Sequence, residues 1–292
     1  MKLLKKLTIL AFAILLTINC HAQQKKESLL WKVSGNGLSK PSYIAATFHT
    51  LCAEHFIIKD KVKEAIESAD QFILEINYLD PKEVETLQRM VTAEKPLGEQ
   101  LSAAEATRLD SILRKSYNSN FEAVKKYTPQ ALYALISQKS IDCSAEDVRY
   151  YDAELLKLAA SKNKKFGGLE SAQAQLDYIG KAYNLQQIID QLAQGDEYAR
   201  IAKKMIQAFN NEETDNLYQL STDKRFMSTE QKKWVLDQRN KDWATVSMPQ
   251  IMQQGTALFA MGGAHLSGEN GVIELLRKQG YTLSPVNEIS DL

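Results

Sequence analysis

Thr256-Ala257-Leu258-Phe259-Ala260-Met261-Gly262-Gly263-Ala264-His265 is a short, almost wholly apolar run that closes on a histidine. A second run, Ser42-Tyr43-Ile44-Ala45-Ala46-Thr47-Phe48-His49, ends in the same way. Bounded apolar runs of this length read as strands. Each histidine is followed by a polar turn, a helical stretch and another strand-like run. After His49 these are 59–69 and 71–76; after His265 they are 271–279 and 281–286. The expected fold is α/β, with a central β-sheet built from two similar strand–His–helix–strand units.

The placement matters chemically. Strand ends are where side chains emerge into the ligand-binding crevice of an α/β sheet. A histidine there can serve as ligand, base or acid. Small residues surround both: Ala45 and Ala46 before His49, and Gly262, Gly263 and Ala264 before His265. They let the backbone turn sharply and a ligand approach. A single such histidine would read as a strand cap bonded to a nearby carbonyl. The chain has only 4 histidines, so a matched pair points to function.

Working outward, residues 1–22 read as a signal peptide. Lys2, Lys5 and Lys6 precede the apolar run Leu7 to Ile18, which is too short to span a membrane. Cleavage after Ala22 leaves a secreted or periplasmic chain. The competing reading is a lipoprotein anchored to a membrane through Cys20, although Asn19 suits that signal poorly. The full chain has 36 basic and 36 acidic residues, so loss of the leader lysines leaves a net charge near −3. This gives no electrostatic case for nucleic acid. No later run is long enough for a membrane span. The mature length, about 270 residues, suits a single domain over 23–292. Cys52 and Cys143 remain after cleavage, as a disulfide or as two buried thiols.

Leu29 to Val33, the turn Ser34-Gly35-Asn36-Gly37 and the strand from Pro41 predict an opening hairpin. Pro81 begins a helix. From there to 254 the chain reads as a large helical insertion, about 82–254, ending in a tract over 223–253 broken at Pro249. Inside it, Lys165 to Glu170 reads as a short strand.

Three further residues draw notice. Glu75 is the only charge in the apolar run Phe72 to Ile76, which is costly unless paired or metal-bound. It could also face outward from a half-exposed strand. Glu170 ends its strand as the histidines end theirs, or caps the next helix. Arg239 lies in the charged stretch Asp237 to Trp243, by itself a solvated face. Two histidines with one or two carboxylates suit a divalent metal ion such as Mn, Co or Zn. A zincin helix, a serine-nucleophile elbow, a phosphate loop and a dinucleotide fingerprint are all absent.

The stretches Leu30 to His49, Phe72 to Ile76, Gly168-Leu169-Glu170, Asp237 to Trp243 and Gly262 to His265 together resemble the TraB/GumN family, which includes the Tiki metalloproteases and PrgY. Its signature is two Gly-x-x-His motifs with a glutamate and an arginine between them. Gly262-Gly263-Ala264-His265 matches in full; Ala46-Thr47-Phe48-His49 has alanine for the first glycine. The resemblance implies an α/β sheet fold and a metal-dependent peptidase acting on peptide or protein substrates. It maps His49, Glu75 and His265 to metal-site positions, Arg239 to the family arginine, and Glu170 less directly to the site. The alternative is a non-catalytic envelope protein that uses the same fold to bind a partner.

Overall fold

A computed structural model of the chain describes residues 27–89, 95–139 and 141–292. The expected leader, with Cys20, lies outside them. Leu30–Gly35 (β1) and Ser42–Thr47 (β2) pair antiparallel as the expected hairpin. Asn36 and Gly37 turn it at positive φ, a conformation glycine and asparagine tolerate. The remaining strands are Thr50–Cys52 (β3), Gln71–Leu74 (β4), Val148–Tyr150 (β5), Lys165–Gly168 (β6), Ala257–Gly262 (β7) and Tyr281–Pro285 (β8).

Six of them form one mixed sheet in the order β6-β4-β7-β2-β1-β8. β6, β4, β7 and β2 are mutually parallel, and β1 is antiparallel to both its neighbours. β7 sits in the middle. Ala257 to Met261 are fully buried, as befits a parallel strand covered on both faces. Helices Asp60–Ser68 (α1), Pro81–Arg89 (α2), Ala103–Ser116 (α3), Pro129–Gln138 (α4), Tyr151–Ser161 (α5), Ala172–Ala182 (α6), Leu185–Ala193 (α7), Gly195–Asn210 (α8), Thr214–Ser221 (α9) and Val272–Lys278 (α10) complete the main elements. No helix of the described residues is long and apolar enough to cross a membrane.

The two histidine segments differ in layout. His49 lies in a loop, with β3 and a 3-10 turn before α1; His265 lies inside the 3-10 turn Gly263–His265. The strands that follow, β4 and β8, take opposite sides of β7.

Two findings correct the expected helical tract. It begins at Thr229, and it runs through Pro249 without a break. Over 229–252, α turns at Thr229–Lys232, Gln238–Asp242 and Met248–Met252 alternate with π turns at Lys233–Asp237 and Trp243–Ser247. The widened turn before Pro249 accommodates a ring that a regular α-helix would reject. The 82–254 region also contains two strands, β5 and β6. The sheet carries the larger core, while Leu97, Leu109, Leu113, Leu132, Ile189 and Leu192 form a second one among the helices. Cys52 and Cys143 form a disulfide with Cα atoms 5.9 Å apart. It clips β3 to the segment entering β5, and the two strands pair antiparallel.

Candidate functional site

The site is built where parallel strands stop. β2, β4, β6 and β7 are adjacent and run the same way, so their carboxyl ends share one edge. The chain leaves β2 through Phe48 to His49, β4 directly to Glu75, β6 through Leu169 to Glu170, and β7 through Gly263 and Ala264 to His265. Four ionisable residues thereby reach one crevice.

Gly262 forms its floor. A Cβ there would stand 3.4 Å from Glu75 Oε1, 3.5 Å from His265 Cδ2 and 3.7 Å from His49 Nε2. His49 and Glu75, 213 and 187 positions before Gly262, thus meet His265 around one glycine that has no side chain to fill the space. The Gly262 N–H also donates to Glu75 Oε1 at 2.8 Å. Ala46, the departure from the family motif, is a buried strand residue paired with Met261 and has no positive φ. Glycine's freedom is not required there.

Arg239 closes the crevice from the 229–252 helix. It is 6% exposed. Nη2 donates to Glu75 Oε2 at 2.6 Å and reaches Glu170 Oε1 at 2.7 Å; Nε donates to Glu170 Oε1 at 2.9 Å. Nη1 donates to the Val235 carbonyl at 3.1 Å and to His265 Nε2 at 3.3 Å. Trp243, one turn on, lies under the guanidinium with its ring centroid 4.7 Å from Cζ. Its Nε1 donates to Glu170 Oε2 at 3.3 Å. This is no solvated face: Asp237 pairs with Lys232, and Asp242 accepts from Tyr178 and Gln238.

The electrostatics follow from this packing. Burial pushes the Glu75 carboxyl up, but Arg239, the two histidines and the Gly262 N–H outweigh it and hold the group well below the usual carboxylate range. Burial dominates at Glu170 and raises its pKa despite Arg239. Burial lowers His265 to about 3, so its ring is neutral. The Asp152 carboxylate raises His49 above its ordinary value, although the ring's side chain is 67% exposed and solvent screens the pair.

Each histidine is oriented through Nδ1. His49 Nδ1 is 2.8 Å from Asp152 Oδ2, and His265 Nδ1 is 2.6 Å from Asn240 Oδ1. With those bonds made, Nε2 of each ring is the nitrogen left for a ligand, the usual orientation of metal-binding histidines. His265 Nε2 lies 3.8 Å from Glu75 Oε1. Two atoms bound to one ion at about 2 Å each stand no more than about 4 Å apart. His265 Nε2 and Glu75 Oε1 are therefore close enough to share one divalent ion. As the side chains stand, no three His, Cys, Asp or Glu groups among the described residues are gathered at ion-holding distance. Arg239 Nη1 instead occupies the lone pair of His265 that an ion would take.

Gln175 adds a polar wall, its Nε2 donating to Glu75 Oε2 at 3.3 Å and Glu170 Oε1 at 3.1 Å. Gln175, Asp152 and the orienting role of Asn240 were not anticipated. Asp152 follows a three-residue strand, and Gln175 is one polar residue in a helix of many. For Asn240 the signal was its place in the stretch Asp237 to Trp243. His55 lies apart, exposed beside Glu54.

No curated protein and no solved structure matches the chain. A profile described as the TraB/PrgY/gumN family matches residues 29–285, which spans every strand of the sheet and all five crevice residues. The chain belongs to the TraB/PrgY/gumN family.

Proposed function

We propose that this protein is a secreted or periplasmic metal-dependent hydrolase that cleaves peptide bonds. The supporting observation is the convergence of His49, Glu75, Glu170 and His265 at the ends of four adjacent parallel strands, with Arg239 over them. His49 Nε2, Glu75 Oε1 and His265 Nε2 would hold the ion. A divalent ion in such a site lowers the pKa of water and polarises a carbonyl.

The chain's own groups supply the rest. Arg239 fixes the direction of both carboxylates and would have an Nη1 donor on the ligand side once an ion displaced it from His265 Nε2. There it is placed to bind developing negative charge on the substrate oxygen. Glu170, with its raised pKa, is suited to carry a proton toward the leaving nitrogen. Trp243 and Leu169 keep the back of the crevice dry.

A second reading has its own observation. Arg239 already pairs with both Glu75 and Glu170 and hydrogen-bonds His265, so these groups are satisfied without an ion. That favours a non-catalytic envelope protein binding a peptide partner. Metal analysis of the purified mature protein separates the two. The hydrolase reading expects about one equivalent of Mn, Co or Zn and its loss in Glu75→Gln. It fails if no divalent ion binds the parent, or if Glu75→Gln keeps the full content.

A further inference from the structure

Away from the crevice, a groove of about 970 Å3 lies between the start of α9, the loop that follows His265, and α10. None of the five crevice residues lines it. Its size is at the upper end for ligand sites, about 300–1,000 Å3. The apolar part of its lining is Trp31, Leu266, Ile273 and Pro285. Ser267 adds a polar group. The residue is 8% exposed, and its hydroxyl has no hydrogen-bond partner among the described residues. Thr47 Oγ1 is the one unpartnered side-chain polar atom there that is sealed from solvent. The Ser267 hydroxyl is therefore open, and the space its residue borders is the groove. A largely buried hydroxyl without a partner costs stability unless something enters to bond it.

Charge decides what can enter. Arg277 and Lys278 are the two cations of the lining, and both are turned to the protein. Arg277 Nη2 donates to the Leu283 carbonyl at 3.2 Å, with Cζ 5.4 Å from the Trp31 ring centroid. Lys278 Nζ donates to the Glu269 carbonyl at 3.2 Å, not to its carboxylate. Four carboxylates line the same groove, and only Glu274 has a cation near it, Arg277 at 3.9 Å. Glu27 Oε2 accepts from the Asp215 N–H at 2.9 Å. No lysine or arginine of the described residues pairs with Glu27, Asp215 or Glu269. The groove thus sets uncompensated negative charge beside apolar surface. A bare metal ion does not suit it, because no three carboxylates among the described residues stand at ion-holding distance. An elongated organic cation with an apolar part does.

We propose that the groove binds a basic peptide segment. An apolar side chain lies against Trp31 and Ile273, lysine or arginine side chains reach Asp215 and Glu269, and the Ser267 hydroxyl accepts an N–H. Complementarity of this kind sets orientation and salt dependence more than raw affinity. Such binding is independent of any hydrolysis in the crevice.

Isothermal titration of the purified protein with acetyl-Lys-Leu-Lys-amide tests it, with EDTA present so that binding is read apart from hydrolysis. Acetyl-Glu-Leu-Glu-amide and spermidine serve as comparisons. The parent should bind the lysine peptide, more weakly as salt is raised, and should not bind the glutamate peptide. Asp215→Asn with Glu269→Gln should weaken binding at least about tenfold, and Ser267→Ala about fivefold. Asp215 and Glu269 are exposed, so the double variant should unfold close to the parent. Asp215→Lys with Glu269→Lys should move the preference to the glutamate peptide. No binding by the parent, equal binding of the two peptides, or parent-like binding in the neutral double variant or in Ser267→Ala would overturn the inference. Spermidine binding as tight as that of the lysine peptide would mark a general cation site and overturn it as well. Tighter peptide binding after Lys25→Ala with Lys26→Ala would give the groove to the chain's own basic stretch and overturn it too.

Discussion

Arg239 bridges two buried carboxylates and hydrogen-bonds a neutral histidine, using Nε and both terminal nitrogens. Lysine keeps the charge but has no planar fork. Arg239→Lys should therefore lower hydrolysis sharply and also destabilise the fold, by on the order of 1–3 kcal/mol for the unsatisfied partners. Arg239→Met should be worse, on the order of 3–5 kcal/mol, because two carboxylates lose their cation. Denaturant titration of the three proteins checks this ranking; equal midpoints would show that the clamp contributes nothing. Asn240 acts one step back. Its Oδ1 fixes the His265 ring, and its Nδ2 is itself held by the Asn270 carbonyl at 2.8 Å. Asn240→Ala should weaken Co2+ or Zn2+ binding about 10- to 100-fold, the usual effect of losing a histidine's orienting partner. Isothermal titration would read it, and parent-like affinity would exclude the orienting role.

At the scale of elements, the disulfide and the β3–β5 ladder act together. They anchor the segment that leads directly into α5, whose second residue, Asp152, holds His49. The bridge closes a loop of separation 91, so its removal should cost on the order of 4 kcal/mol in the chain-entropy model. Cys52→Ser with Cys143→Ser should lower the unfolding midpoint and loosen His49. Reductant should shift the parent to the double variant's midpoint and leave that variant unmoved. The strands that carry the site were legible from the sequence because each is a short apolar run with one abrupt polar residue after it. Glu75 and His265 announce themselves that way. α4 and α7 have local start signals, the caps Thr128 and Asn184 ahead of apolar periodicity. What could not be read is whatever depends on a distant partner. β5 has only three residues and exists because β3 lies beside it. The π turns that flank Arg239 and Asn240 leave no pattern of their own. The spatial meeting of four strand ends depends on strand order, which periodicity does not encode.

For the whole molecule, a buried lysine joins the two ends of the fold. Lys61 Nζ donates to Glu212 Oε2 at 2.5 Å, Ser28 Oγ at 2.9 Å and the Val286 carbonyl at 2.8 Å. The same Glu212 oxygen accepts from the Leu29 N–H at 3.0 Å. Burial pushes the Glu212 carboxyl up, but Lys61, the Leu29 N–H and Lys59 prevail and lower it. A carboxylate depressed in the folded state adds stability above its unfolded pKa, near 4.3. That stability is lost as pH falls through the lower folded value. Unfolding free energy should thus decline as the solution is acidified below about pH 4.3, and Glu212→Gln should show a shallower decline. Parallel curves for the two proteins would remove Glu212 from the acid response.

The central strand of the sheet has a consequence for the order of synthesis. β7 lies between β2 and β4, yet it is made some 180 residues after β4. Until residues 256–262 emerge, β2 and β4 have no neighbour between them, and each presents an open edge. The crevice then lacks both its floor and His265. A chain still being made holds an incomplete set of site residues, so any activity of the crevice can arise only after nearly the whole polypeptide has been synthesised. Such late, long-range closure also slows folding. An unfinished chain is correspondingly exposed to strand-edge association, and one ending at Gly255 should aggregate more than the full chain does.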